Sequence, residues 1–388
     1  MNKKLLQFSK RGNLPSLGEM VSQYAAEVSK TRDDLIGMNL GAPGTGAPSK
    51  ALDALREQMA HDVLGYTAIE GLPFLRQRIS RMYQEEFGQV VSPENILVTY
   101  GASSAMMLAC IAMTDEGDKL AVPLPCYNNY LVAFQSLGLD CEYIETTHEN
   151  NFCITAEDIK LLDSSTRAII LVSPSNPTGS IIPEKEFKKI IAVCHERGIT
   201  VISDEIYQHI TYTGEGPSMT ALAYSKDCIV INSFSKYYSI PGWRVGWMVI
   251  PDGLVEQMQS LARSYFVSPV SPAQYVAANT MDCVDELQEH VSVYAKNREI
   301  LLERMPKIGF DRLPATEGAF YLYAHILNFH NDSFDFCKKM VREAGVIASP
   351  GKAFDPIAGD DYVRFSYAGT TDSIQMALDR LECWTKKL

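Results

Sequence analysis

The chain has 388 residues, 46% of them hydrophobic and 21% charged, with a formal net charge of −12, enough length and apolar content to bury a large core without staples. So acidic a balance argues against the basic surface that a nucleic-acid partner needs. No run reaches the ~18 apolar residues of a membrane span, and the opening MNKKLLQFSKRG holds no apolar stretch for a secretory signal, so no membrane partner is expected and the cytoplasm is the expected location.

The first 45 or so residues carry no strong sheet pattern. Helical periodicity follows at 49–60 and 72–87, then a strand at 96–99 and a helix at 103–113. Strands at 119–122 and 168–172, a helix at 184–197, and strands at 200–203, 229–233 and 245–250 continue the alternation, which is the signature of an α/β fold. Several strands are continuous Val/Ile/Leu runs, as expected where both faces of a mostly parallel sheet are covered. Beyond Ser271 the pattern changes. A helix at 277–306, strands at 319–323 and 362–367 and a helix at 371–385 predict a smaller α+β domain with which the first 45 residues pack. The expected division is a large domain over 46–275 and a small one from 1–45 and 276–388. The nine cysteines, Cys110 to Cys383, include no C-x-x-C pair and no Cys/His cluster with zinc spacing, so they read as reduced buried thiols and no metal site is expected.

Four strand ends carry polar groups. In TYGASSAMM a strand passes through Gly101 into a helix, so the backbone and side chains of Ala102 and Ser103 are placed to cradle an anion; many α/β turns share that look. In LVSPSNPTGS a strand ends at a turn where Asn176 offers an amide donor or a simple Asx turn. In VISDEIY the strand ends in Asp204, with Tyr207 three residues on; a carboxylate there faces the crevice where open α/β sheets bind ligands, or caps a helix. Glu205 beside it reads as a structural or solvated partner. In INSFSKYYSIPGWRVGW, Lys236 follows a strand, with the hydroxyls of Ser233 and Ser235 before it and Arg244 eight residues on. An amine nucleophile beside hydroxyls and a guanidinium suits a carbonyl compound bearing a phosphate; taken alone, the pair is equally a surface lysine and a salt-bridged arginine.

Together these residues resemble the class I/II aminotransferase family, the fold-type I pyridoxal-phosphate enzymes, over about 39–364. The Ser-Phe-Ser-Lys run with Arg244 eight residues later, the SNPTG run and the D-E-x-Y run occur in that family's order and spacing. The resemblance implies a seven-stranded, mostly parallel sheet sandwiched by helices, and pyridoxal 5′-phosphate as cofactor, carried by Lys236, which also moves the substrate's α-proton. It implies that Asp204 pairs with the pyridinium nitrogen, that Tyr207 and Asn176 bond the ring's 3-oxygen, and that Ser233, Ser235, Arg244, Ala102 and Ser103 bind the phosphate. Tyr127, in PLPCYNNY, matches the aromatic that stacks on the ring. Tyr66, in GYTAIEGLPFLR, matches a tyrosine that reaches the neighbouring subunit's phosphate, which implies a homodimer with shared active sites. Arg364, in YVRFSY, matches the arginine that grips the substrate α-carboxylate, with Gly41 of NLGAPGTG and Asn176 beside it. Outside that frame Tyr66 and Tyr127 are ordinary core or interface aromatics, and Arg364 is a buried salt-bridge residue.

The expected activity is transfer of an amino group between an L-amino acid and a 2-oxo acid. The same scaffold also supports β-elimination or related lyase chemistry, since the bond that breaks is set by its alignment to the ring. A transcription regulator built on such a domain needs a DNA-binding segment ahead of it, whereas only some 40 residues precede the match and the chain is acidic overall. Two departures bear on substrate. Ala-Pro-Gly-Thr-Gly follows Gly41 where many members carry Glu-Pro-Asp, and Ser103 stands where some aspartate-specific members have a lysine. With no evident second cationic anchor, neutral or aromatic donors are expected, with Tyr130, Tyr321 and Tyr323 as candidate pocket residues and Glu70 as a further candidate facing it.

Overall fold

The computed structural model describes residues 9–12, 14, 17–214 and 216–388. Its central sheet has seven strands: β1 (Ile96–Thr99), β2 (Lys119–Leu124), β3 (Asp140–Glu145), β4 (Thr166–Val172), β5 (Thr200–Asp204), β6 (Ile229–Ser233) and β7 (Gly246–Val249). In space they run β1-β7-β6-β5-β4-β2-β3. Every neighbouring pair is parallel except the two made by β7, which runs against β1 and β6. The apolar runs explain the layering. Val98, Ile169, Leu171, Val201, Val230 and Trp247 face one buried cluster. Their chain neighbours Leu97, Ala168, Ile170, Ile202, Ile229, Ile231 and Met248 face the other, the period-2 alternation of a sheet covered on both sides.

β3 is the strand that hydrophobic runs did not reveal. Its sequence, DCEYIE, buries only Ile144 and lies at the sheet edge, where charges are tolerated and discourage further pairing. The predicted helix over 277–306 is two helices, Ser271–Thr280 and Val284–Ile308, with Cys283 out of helical geometry between them (φ −101°, ψ 36°). The first packs on the helices Ser49–Met59 and Pro73–Phe87 and the second on Thr371–Thr385, so the chain changes partners at the break.

A second, antiparallel sheet is built from β8 (Tyr321–His325), β9 (Ser349–Pro350) and β10 (Tyr362–Ser366), in the order β9-β10-β8. β8 starts two residues later than its sequence pattern, because Ala319 takes a left-handed φ of 56°. Near the chain start, Ile36–Gly37 pairs in parallel with Val346–Ile347, and the helix Leu17–Val28 packs on Ser333–Glu343. Among the described residues no helix is long and apolar enough to cross a membrane. Seven of the nine free cysteines are buried.

Gly246 fixes one local constraint. It sits opposite Thr99 on β1 and Ser233 on β6, and a Cβ there would lie 2.7 Å from the Gly101 carbonyl carbon, 2.9 Å from the Ala102 nitrogen and 2.9 Å from the Asn232 oxygen. All three are backbone atoms that cannot swing aside. Gly246→Ala should therefore destabilise the protein by about 1–3 kcal/mol, the usual range for overpacking, read as a lowered denaturant midpoint; an unchanged midpoint would show that the strands separate freely here.

Candidate functional site

Parallel strands bring their carboxyl ends to one edge, and the polar groups singled out in the sequence collect there. Gly101, with a left-handed φ of 75°, turns the chain after β1 into the helix Ala102–Met113, so Ala102 and Ser103 lie in its first turn. Tyr127 caps the helix Asn128–Leu137 after β2. Asn176 follows β4, Asp204 ends β5, and Ser233, Ser235 and Lys236 end and follow β6. Because β7 is antiparallel, Arg244 just before it returns to this edge. A cavity of about 170 Å³ is lined by Gly41, Ala102, Ser103, Tyr127, Asn176, Asp204, Tyr207, Ser233, Ser235, Lys236 and Arg244. Tyr130, Ala42, Val172, Ile206 and Pro241 complete its wall.

Against the Asn176 side of the wall stands a residue from the other end of the chain. Arg364, on β10, donates through Nη1 to Asn176 Oδ1 (2.9 Å) and through Nη2 to the Asn39 carbonyl (2.6 Å) and Ser349 Oγ (3.2 Å). Its guanidinium lies between the Tyr321 and Phe354 rings, 4.5 and 4.6 Å from their centroids. The Lys236 amine donates to the Gly41 carbonyl. The segment from Asn39 to Gly41 is thus tied to β10 of the smaller sheet and to the turn that follows β6 of the larger.

The electrostatics are unusual for a protein interior. Arg364 is buried, no described carboxylate lies within ion-pair distance, and its Nε has no hydrogen-bond partner. Such a cation is costly to keep without an anion beside it. Burial, aided by Arg364 and opposed by Asp204, lowers the Lys236 amine to about 8. Burial raises the Asp204 carboxyl to about 6, while the hydroxyl of Tyr130 and the backbone N–H of Ile206 (3.2 Å) hold its charged form. The arrangement offers an amine poised near neutrality, a held carboxylate and an unpaired guanidinium around one space.

Three positions depart from the sequence-based expectation. Glu70 does not line the cavity. Of the two readings of Glu205 the structural one holds: it is buried and accepts from Ser203 Oγ (2.9 Å), Gln208 Nε2 (3.0 Å) and the Ala221 backbone (2.8 Å). Neither Tyr321, whose hydroxyl meets that of Tyr207, nor Tyr323, stacked on Tyr362, lines the cavity. Tyr66 is 90% exposed and lies outside the cavity wall of this chain. Sequence reasoning gave Tyr130 no role beyond a candidate wall position; its place on the first turn of the helix after β2 was the available signal.

The family model for class I and II aminotransferases matches residues 33–381. The chain is 36% identical to the valine–pyruvate aminotransferase of Mycobacterium tuberculosis over 362 residues, with 93% of each chain covered. It is 30% identical to the aspartate aminotransferase of Geobacillus stearothermophilus, with 95% of each covered. A crystal structure of an aminotransferase from Mycobacterium tuberculosis superposes with a TM-score of 0.96 at 34% identity, covering 99% of this chain and 100% of the other.

The Lys236 shift makes a stability prediction. Its folded-state value, about 8, lies below the ordinary 10.5. Between those values the unfolded chain binds more protons, so the stability contributed at this residue rises with pH from about 8 to 10.5. Urea titrations of the cofactor-free protein at the two ends of that window should show a rise that Lys236→Met diminishes. Equal rises in both proteins would mean that the amine is not desolvated.

Proposed function

The chain belongs to the class I and II aminotransferase family, and on that footing we propose that it works with pyridoxal 5′-phosphate held by Lys236, as a cytoplasmic homodimer with shared active sites. It is an aminotransferase, moving an amino group between an L-amino acid and a 2-oxo acid. We divide it into a large cofactor-binding domain over 46–275 and a small domain from 1–45 and 276–388, a division supported by the two separate sheets.

The observation that carries this reading is the buried, acid-free guanidinium of Arg364 beside a lysine whose amine is held near neutrality. The donor set suits the cofactor. Asp204 is a buried carboxylate fit to accept from a protonated ring nitrogen. Because Asn176 Oδ1 is occupied by Arg364, its amide nitrogen is left to donate to the 3-oxygen, beside the Tyr207 hydroxyl. Ser233, Ser235, Arg244 and the helix start at Ala102 and Ser103 supply donors for the phosphate. Tyr127 supplies a ring face. Bound there, the cofactor supplies an electron sink that acidifies the substrate α-carbon.

The side chains then divide the work. Arg364 grips the α-carboxylate as a bidentate pair, with Gly41 and Asn176 beside it. Asp204 keeps the ring nitrogen protonated. Lys236, in its neutral form, would take the substrate's α-proton on Nζ and hold it for return. The lowered lysine value serves that step, since it gives the amine a far larger neutral fraction at pH 7 than an ordinary lysine has. Tyr66 reaches the neighbouring subunit's phosphate. Its exposure supports this, as do the exposed Leu40, Val63 and Val267, and the exposed Ser103 and Arg244 at the phosphate end.

We further propose a neutral amino donor. Among the described residues the cations at this site are Lys236 and Arg244 in the wall and Arg364 beside Asn176, all assigned above, and the relative named a valine–pyruvate aminotransferase agrees with that choice.

With pyridoxal phosphate added, the protein should develop a visible absorbance band that common neutral amino acids bleach and aspartate does not. Lys236→Ala should lose both the band and turnover; activity in that variant would sink the assignment. Arg364→Ala should raise KM for the amino donor about ten- to hundredfold, the worth of a charged hydrogen-bonded pair, with the band retained. A lost band with unchanged KM would move Arg364 out of the substrate site.

A further inference from the structure

Tyr207 does not stand alone. Its hydroxyl lies 2.7 Å from the Tyr321 hydroxyl, both residues are buried, and their rings meet edge to face at 5.6 Å. Tyr321 opens β8, and the Arg364 guanidinium sits over its ring. Two hydroxyls at that distance share one proton between them. If Tyr207 gave its own to Tyr321, it would have none for a ligand in the cavity. If Tyr321 gives its proton, that of Tyr207 is free to point into the cavity.

We propose that Tyr321 is a positioning residue of the aminotransferase site: its hydroxyl donates to Tyr207 and thereby makes Tyr207 a committed, strengthened donor to the cofactor's 3-oxygen. The inference rests on the pyridoxal-phosphate reading above. Three features favour this direction. A cation over the Tyr321 ring stabilises negative charge developing on its oxygen, which makes it the better donor. In keeping with this, burial pushes the Tyr321 phenol up to about 12, opposed first by Arg364, whereas burial pushes Tyr207 well above its ordinary value and Tyr321 adds to that rise. Hydrogen bonds in sequence also polarise one another, so a donor to Tyr207 strengthens the donation Tyr207 makes. The hydroxyl is moreover closely packed, since a Cβ on Gly41 would lie 2.5 Å from it, and Gly41 itself accepts from Lys236. The charged and titratable groups facing the pair are Arg364, Lys236 and Tyr127, with Asp204 and Arg244 acting on Lys236. None of them bonds either hydroxyl, so among the described residues each tyrosine hydroxyl bonds the other alone.

The consequence falls on the proton held between the Lys236 nitrogen and the 3-oxygen. A weaker donation to that oxygen leaves more negative charge on it, and the proton is held more tightly. The experiment is a pH titration of the visible absorbance of the pyridoxal-phosphate-loaded protein, for wild type, Tyr321→Phe, Tyr207→Phe and the double variant. Tyr321→Phe keeps the ring and its packing. Its midpoint should rise by about half to one pH unit, the worth of one neutral hydrogen bond. Tyr207→Phe should raise it further, and the double variant should match Tyr207→Phe alone, because Tyr321 acts through Tyr207. An unchanged midpoint in Tyr321→Phe, a fall, or shifts that add in the double variant would overturn the proposal. So would a Tyr321→Phe protein that folds but takes up no cofactor, since that is a structural role. A wild-type protein with no visible band would overturn the cofactor reading itself, and this role with it.

Discussion

Direction is the constraint on which the rest of this molecule depends. Strands that run the same way end on the same edge, and β1, β2, β4, β5 and β6 deliver their carboxyl ends to one crevice. Backbone pairing alone thus brings together groups drawn from Ala102 to Arg244. The one antiparallel strand is no exception in its effect, because reversing β7 brings the residue before it, Arg244, back to that edge. Covered on both faces, the sheet is stiff, and the crevice inherits its precision from the register.

Burial then sets the chemistry. Enclosing Lys236, Asp204 and Arg364 together pushes each toward its neutral form. Lys236 and Asp204 offset one another, whereas Arg364 has only neutral acceptors and two ring faces. The result is a crevice with surplus positive character inside a chain whose net charge is −12. An anionic ligand would relieve that imbalance, and the acidic exterior does not prevent it, since the field inside a closed cleft is set by the nearest charges.

The central sheet was legible because its strands are continuous apolar runs, and the strand ends because Asn176, Asp204 and Lys236 each follow such a run directly. β3 was not, since an edge strand may carry Asp140, Glu142 and Glu145 without burying them. The break at Cys283 was hidden because both flanking segments are helical, and the partner each one finds is a tertiary fact. The bonds of Arg364 to Asn176 and Asn39, and of Tyr130 to Asp204, join residues far apart in the chain, so no local pattern encodes them. Tyr321 stood in the sequence only as one candidate pocket aromatic among three; its contact with Tyr207 is what distinguishes it.

Those long bonds have a consequence for how the molecule comes into being. Arg364 lies 325 residues from Asn39 and 188 from Asn176. On the ribosome the central sheet is complete by Val249, yet Arg364 waits for β10, more than a hundred residues later. During that interval the sheet's ligand-facing edge is open and its N-terminal strap has no anchor on β10. Contacts of such sequence separation form slowly, and N-terminal portions generally fold first during synthesis. Competence therefore waits for the last strand of the smaller sheet, because only then can Arg364 reach Asn39 and Asn176.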